Sequence, residues 1–145
     1  MGDFDELLDE LARGHVYRCG VLPAPPQRPG VYLFADGPNV MHVGRTKNLQ
    51  ERRRSQTGPS GDRFTATFPF LLARLRAAEA HDDLPNARDE LGADHRFVPF
   101  FVQAKAEVRA MDFRCVVIEN HARQAIFEIF ASVALHSPYN FWETH

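Results

Sequence analysis

Apolar residues recur along the chain at two spacings, and the switches between them mark out its elements. Phe4, Leu7, Leu8 and Leu11 fall at i, i+3, i+4 and i+7, with Gly14 as a stop, so residues 3–13 are predicted to form an amphipathic helix. Residues 21–29 hold four prolines and suit neither a helix nor a central strand, so residues 1–28 read as a helix followed by a Pro-rich lead-in. Gly30 to Phe34 and Val40 to Val43 have strand composition, and the turn cluster Asp36-Gly37-Pro38-Asn39 joins them as a β-hairpin. Thr46 can N-cap a helix that starts near Leu49, and residues 56–62 read as a loop. Phe68 to His81 reads as a helix with Phe70, Leu71, Leu72 and Leu75 inward, and Pro99 to Ala110 as another. Between them, residues 82–94 are polar and broken by Pro85 and Gly92. Phe113 to Ile118 is the clearest strand, and His121 to Leu135 an apolar helix ended before Pro138. The order predicts an α+β fold: a small three-stranded, mostly antiparallel sheet flanked by helices.

Composition narrows the class. At 145 residues, 44% hydrophobic and 25% charged, the chain suits a single domain over 1–145 with a real core. No apolar run approaches the roughly 20 residues of a membrane-spanning helix, so no membrane association is expected. Two cysteines, Cys19 and Cys115, are too few for a disulfide framework or a four-thiolate metal site. With an acidic start unlike a secretory signal, they make a cytoplasmic protein the expectation. The net charge of −2 argues against indiscriminate coating of nucleic acid. The distribution matters more. Residues 45–54 hold Arg45, Lys47, Arg52, Arg53 and Arg54 against Glu51 alone, a basic stripe suited to a focused anion contact.

The motifs within this frame are ordered. Gly30-Val31-Tyr32 is followed by His42-Val43-Gly44-Arg45, with His42 ten residues after Tyr32, and then by Asn48-Leu49 and Arg52. Later come Glu128 inside an apolar helix and Asn140 after Pro138. This set resembles the core of the GIY-YIG nuclease family over residues 29–56 and 112–141. The resemblance implies a GIY-YIG-like fold and a metal-dependent DNA endonuclease. Its catalytic residues would be Tyr32, His42, Arg45, Arg52, Glu128 and Asn140, with Glu128 as ligand to Mg²⁺ or Mn²⁺. Two departures stand out. His42 occupies the place of the family's second-triplet tyrosine, and the stretch before Phe113 is long, so residues 58–110 read as a helical insertion.

The residue chemistry can be weighed on its own. Glu128 lies among Ile126, Phe127, Ile129 and Phe130, and shares a polar stripe with His121, Gln124 and Ser132. A carboxylate on such a helix needs a partner: either a salt bridge to Arg45 or Arg52, or a hard cation. A phenol at Tyr32 or an imidazole at His42 can take a proton from water, and the choice between them is open. The guanidiniums of Arg45 and Arg52 match phosphate oxygens in two-donor geometry, while Lys47, Arg53 and Arg54 suit flanking backbone phosphates. The expected partner is DNA, with a protein partner to supply specificity, since no separate DNA-reading motif is present. The competing readings are a GIY-YIG-like binding module with weak or no catalysis, and an interaction domain docking through the acidic helix 3–13 and phenylalanines of the insertion.

Overall fold

The computed structural model describes residues 2–58 and 66–138. Its chain order is α1 (Gly2–Arg13), β1 (Gly30–Asp36), β2 (Asn39–Thr46), α2 (Leu49–Thr57), α3 (Thr67–Ala80), α4 (Arg88–Ala93), α5 (Val98–Ala110), β3 (Asp112–Val117) and α6 (His121–Ala134). The class is α+β, with one three-stranded sheet ordered β2-β1-β3, antiparallel at both junctions. The chain divides into two compact units. One comprises Met1–Arg53 with Met111–His145, and the other Arg54–Ala110.

In the first unit the alternation of β1 sorts its residues onto two faces. Val31, Leu33 and Ala35 pack with Val43, Val116, Ile118, Phe127, Ala131 and Leu11. This is the face covered by α1 and α6, and Phe4 closes it with ring contacts to Phe127 and Phe130 at 5.4 and 5.5 Å. An ion pair from Arg123 to Asp3 at 2.6 Å ties the two helices together. Tyr32 and Phe34 turn the other way, toward His42 and Phe113. A Cβ on Gly30 would overlap the carbonyl oxygen of Val116, so only glycine lets β3 approach β1 here.

The hairpin is longer than its composition suggests and is not regular. Phe34 stands opposite His42, but Ala35 stands opposite Val40, so Met41 is an extra residue bulged out of β2. The cap of α2 also differs from expectation. Thr46 is the last residue of β2, and Asn48 caps the helix by accepting from the Glu51 amide at 3.0 Å. The Thr46 hydroxyl accepts from the Asn48 amide at 3.2 Å and fixes the link between strand and helix. The helix runs to Thr57, into the stretch read as a loop. At the far end of the unit, Asn120 caps α6 by accepting from the Arg123 amide at 2.9 Å.

The second unit is helical. α3 and α5 bury Phe68, Phe70, Leu72, Ala73, Ala77, Ala104 and Val108, and Phe97 and Leu91 complete the core. Leu75, expected inward, is 43% exposed, because the buried positions of α3 wrap away from it. The polar stretch before α5 contains the short helix α4, held by the single buried apolar residue Leu91. The start of α3 is satisfied from a distance: Gln56 accepts from the Phe68 amide at 3.1 Å and donates to the Thr67 hydroxyl at 3.0 Å.

Candidate functional site

The register of the hairpin sets the first pair of candidate groups. Tyr32 is opposite Gly44, and its hydroxyl oxygen lies 3.4 Å from Nε2 of His42, a long hydrogen bond whose direction depends on the imidazole tautomer. The Tyr32 ring stacks on Phe113 at 5.5 Å and 15°. Glycine at 44 is required by this packing, since a Cβ there would sit 2.5 Å from the Tyr32 hydroxyl oxygen. Both polar ends are covered, with Tyr32 3% and His42 1% exposed.

Arg45 is one residue past Gly44 and pairs with Val31, so alternation turns it to the opposite face, toward α6. There its Nε lies 3.4 Å from Glu128 Oε1. Its Nη1 lies 3.5 Å from His121 Nε2, two helical turns away on the same side of α6. Glu128 is buried and Arg45 partly open to solvent. The rest of the polar stripe is satisfied locally: Gln124 donates to the Ile118 carbonyl at 3.0 Å, and Ser132 to the Ile129 carbonyl at 2.9 Å.

The candidates thus fall into two groups on either face of β2, which is an edge strand. Tyr32 and His42 form one; Arg45 and Glu128 form the other, joined by His121. The sequence showed His121 as part of the stripe, seven residues before Glu128, but gave no sign of its approach to Arg45. The salt bridge from Glu128 to Arg45 is present. Arg52 is half-buried in α2. Arg53 directs its guanidinium over the Phe113 ring at 6.0 Å. Lys47 and Arg54 are exposed. Asn140 lies outside the described residues.

Two further groups bear on the chemistry. Cys115, paired with Tyr32 across β3, has its thiol pushed up to about 12 by burial and by the charge of Glu10, which excludes a thiolate nucleophile at neutral pH. Among the described residues, no three His, Cys, Asp or Glu side chains gather as a metal cage, and no helix is long and apolar enough to cross a membrane. The carboxylate beside Arg45 is that of Glu128, buried and paired with it. Compared with known proteins, the chain matches no family model, and no curated protein or solved structure is significantly similar to it.

Proposed function

We propose that the chain is a metal-dependent DNA endonuclease that hydrolyses phosphodiester bonds by a mechanism of the GIY-YIG type. The observation that supports it best is the Tyr32–His42 pair, 3.4 Å apart on a hairpin whose edge strand carries Arg45 to Glu128. A phosphodiester lying along that edge comes within reach of both faces of β2. His42 or Tyr32 accepts the proton of the attacking water, and the partner ring stabilises the group that has taken it. Arg45 and Arg52 hold the nonbridging oxygens, where charge builds up as the bond to the leaving oxygen lengthens. Lys47, Arg53 and Arg54 hold flanking phosphates.

The donor set suits a hard cation. One carboxylate, with water and substrate phosphate completing the shell, is a common arrangement for Mg²⁺ or Mn²⁺. Glu128 would hold it, and the cation would supply charge neutralisation at the oxygen that leaves the phosphorus. Arg45 pairs with the carboxylate and orients it until then. DNA is the partner in this reading, and a second protein supplies specificity.

A second reading, a binding module that retained the fold and lost the chemistry, draws on the burial of Tyr32 and His42 and on the Arg45–Glu128 ion pair. Plasmid nicking separates the two. Wild type is expected to convert supercoiled to open-circular DNA in Mg²⁺ or Mn²⁺ and to stop in chelator, and Glu128→Ala to be inactive. Equal nicking by wild type and Glu128→Ala would remove Glu128 as metal ligand, and absence of nicking by wild type would remove the endonuclease reading.

A further inference from the structure

α6 carries its polarity the wrong way round for a surface helix. Its polar residues Gln124, Glu128 and Ser132 are buried, whereas Ile126, Ile129 and Val133 are 59%, 47% and 62% exposed. A helix at a protein surface ordinarily turns its polar side to water. Here the outward positions Ala122, Ile126, Ile129 and Val133 fall at i, i+4, i+7 and i+11, and each is apolar. That spacing is the narrow a/d seam along which a second helix packs.

The two sides of this ridge differ in charge. α6 lies over β2 and β1, and α1 over β3 and β1, so α1 flanks α6 on one side and the β2 edge flanks it on the other. The α1 side is acidic: Asp5 and Glu6 are exposed just after Asp3, which is tied to Arg123 of α6. The β2 side is basic: Lys47 is exposed and Arg45 partly so. Both flanks stand beside the N-terminal half of α6, since Asp3 and Phe4 meet Arg123 and Phe127, while Arg45 meets His121 and Glu128.

A two-fold axis running along α6 uses all of these features. It sets each ridge residue against its own copy and keeps every residue at the same height along the helix. It also exchanges the two sides, so the acidic flank of one copy faces the basic flank of the other, and does so twice. An antiparallel pair would instead set acid against acid and base against base, and such charge placement is what fixes orientation at an interface. The flanks matter for size as well. A specific dimer buries about 800 Å² per partner, more than three side chains on a 14-residue helix supply.

We infer that the occupant of this ridge is a second copy of the chain, bound through parallel α6 helices, with α1 of each copy against the β2 flank of the other. The contact is self-complementary and closes at two copies. The net charge of −2 leaves little overall repulsion to oppose it. The same basic flank meets phosphate in the nuclease reading, so DNA would compete with the partner's α1, but the dimer stands without that reading.

Sedimentation equilibrium of the full chain across the micromolar range tests it, and twice the chain mass is expected. Ile129→Glu and Ile126→Arg change exposed positions, so each should keep the wild-type circular dichroism and weaken association at least tenfold. Charge exchange tests the flanks. Lys47→Glu alone, or Asp5→Lys with Glu6→Lys alone, should weaken association severalfold, and mixing the two variants should restore it, because the mixed dimer has opposite charges on both flanks. Disulfides report the orientation: in a parallel pair Ile126→Cys and Val133→Cys each cross-link to themselves beyond the wild-type level, whereas an antiparallel pair cross-links them only to one another when mixed. A monomer at every concentration would overturn the inference; an Ile129→Cys thiol shielded from a maleimide would then place the cover within the chain, and a reactive one would leave the ridge to a different protein. A dimer indifferent to both isoleucine variants, no restoration on mixing, or the antiparallel cross-linking pattern would overturn it as well.

Discussion

Replacing Glu128 by glutamine keeps the side-chain shape and removes its charge, so it separates packing from electrostatics at the junction of α6 and β2. The Glu128–Arg45 separation of 3.4 Å corresponds to about 1 kcal/mol of Coulomb energy in water and about 5 kcal/mol at the effective dielectric typical of protein sites. Glu128 is 6% exposed but Arg45 is 29% exposed, so water screens one end of the pair. Removing one partner of a fully buried pair costs about 3–5 kcal/mol. With this screening we expect about 1–3 kcal/mol for Glu128→Gln. At about 3–5 °C per kcal/mol, the melting temperature should fall by about 3–15 °C with unfolding still cooperative. The same melt carries the functional test. A cation held by Glu128 at ten times its dissociation constant stabilises wild type by about 1.4 kcal/mol. Mg²⁺ should therefore raise the wild-type midpoint by several degrees and leave Glu128→Gln unmoved. Arg45→Met should lose the ion pair and keep the Mg²⁺ shift, because the carboxylate is still there. The reasoning is refuted if Glu128→Gln melts with wild type and responds to Mg²⁺ as wild type does. If it melts low and neither protein responds to Mg²⁺, the carboxylate is a structural partner of Arg45 and nothing more.

Three further expectations concern other residues. If His42 is the base, the nicking rate should fall as pH drops through the imidazole pKa; His42→Ala should lose orders of magnitude, and His42→Tyr should stay active with that acidic limb displaced. An alanine variant that cuts at the wild-type rate would leave the role to Tyr32. Arg52→Lys keeps the charge but loses the planar fork, so a rate loss on the order of tenfold with little change in DNA affinity is expected, and an unchanged rate would reduce Arg52 to a backbone-phosphate contact. Hydrogen bonds from Arg96 hold Asp94 down at about 2, and Asp83 below the ordinary carboxylate range. A depressed carboxyl stabilises the fold fully above its unfolded pKa of about 3.9, and that stabilisation declines to nothing as pH falls through the folded value, so the Arg96–Asp94 contact should be intact at pH 5 and lost as pH falls through about 2. Carboxyl NMR titration of Asp94 with an ordinary midpoint would contradict this.

Much of the first unit was legible because its elements are strongly patterned. The i, i+3, i+4 run of α1 and the strand composition of β1 and β3 each have one dominant period, and α6 combines an apolar run with a clear proline stop. What escaped depends on contacts far apart in sequence. The α3 N-terminus is capped by Gln56, 12 residues before Phe68, and no local rule points to a cap at that range. α4 has one buried apolar residue and so no periodicity to read. α3 is apolar on more than one side, and composition cannot say that Leu75 is the side left in water. At the site, the residue types of the motif were legible, but their faces were not. Only the register shows that Tyr32 and His42 turn one way and Arg45 the other.

That division of faces rests on the extra residue in β2. Val40 and Val43 both meet the α6-side core although they are three positions apart, a spacing no regular strand allows. Met41 absorbs the mismatch and acts as a phase shifter between the turn and the chemistry. Were Met41 paired in regular register instead of bulged, strict alternation from Val40 would aim His42 at the helices and Val43 at the Tyr32 face. The hairpin is therefore tolerant of editing at one point and intolerant close by. Deleting Met41 leaves the pairs Ala35–Val40, Phe34–His42 and Tyr32–Gly44 intact around a regular two-residue turn. Deleting Val43 pulls Arg45 opposite Tyr32 and drives Gly44 into the core, reversing every side chain beyond it. Length variation in this strand is thus filtered by parity: changes before His42 can be absorbed in the bulge, and single-residue changes after it exchange the two faces on which the candidate groups stand.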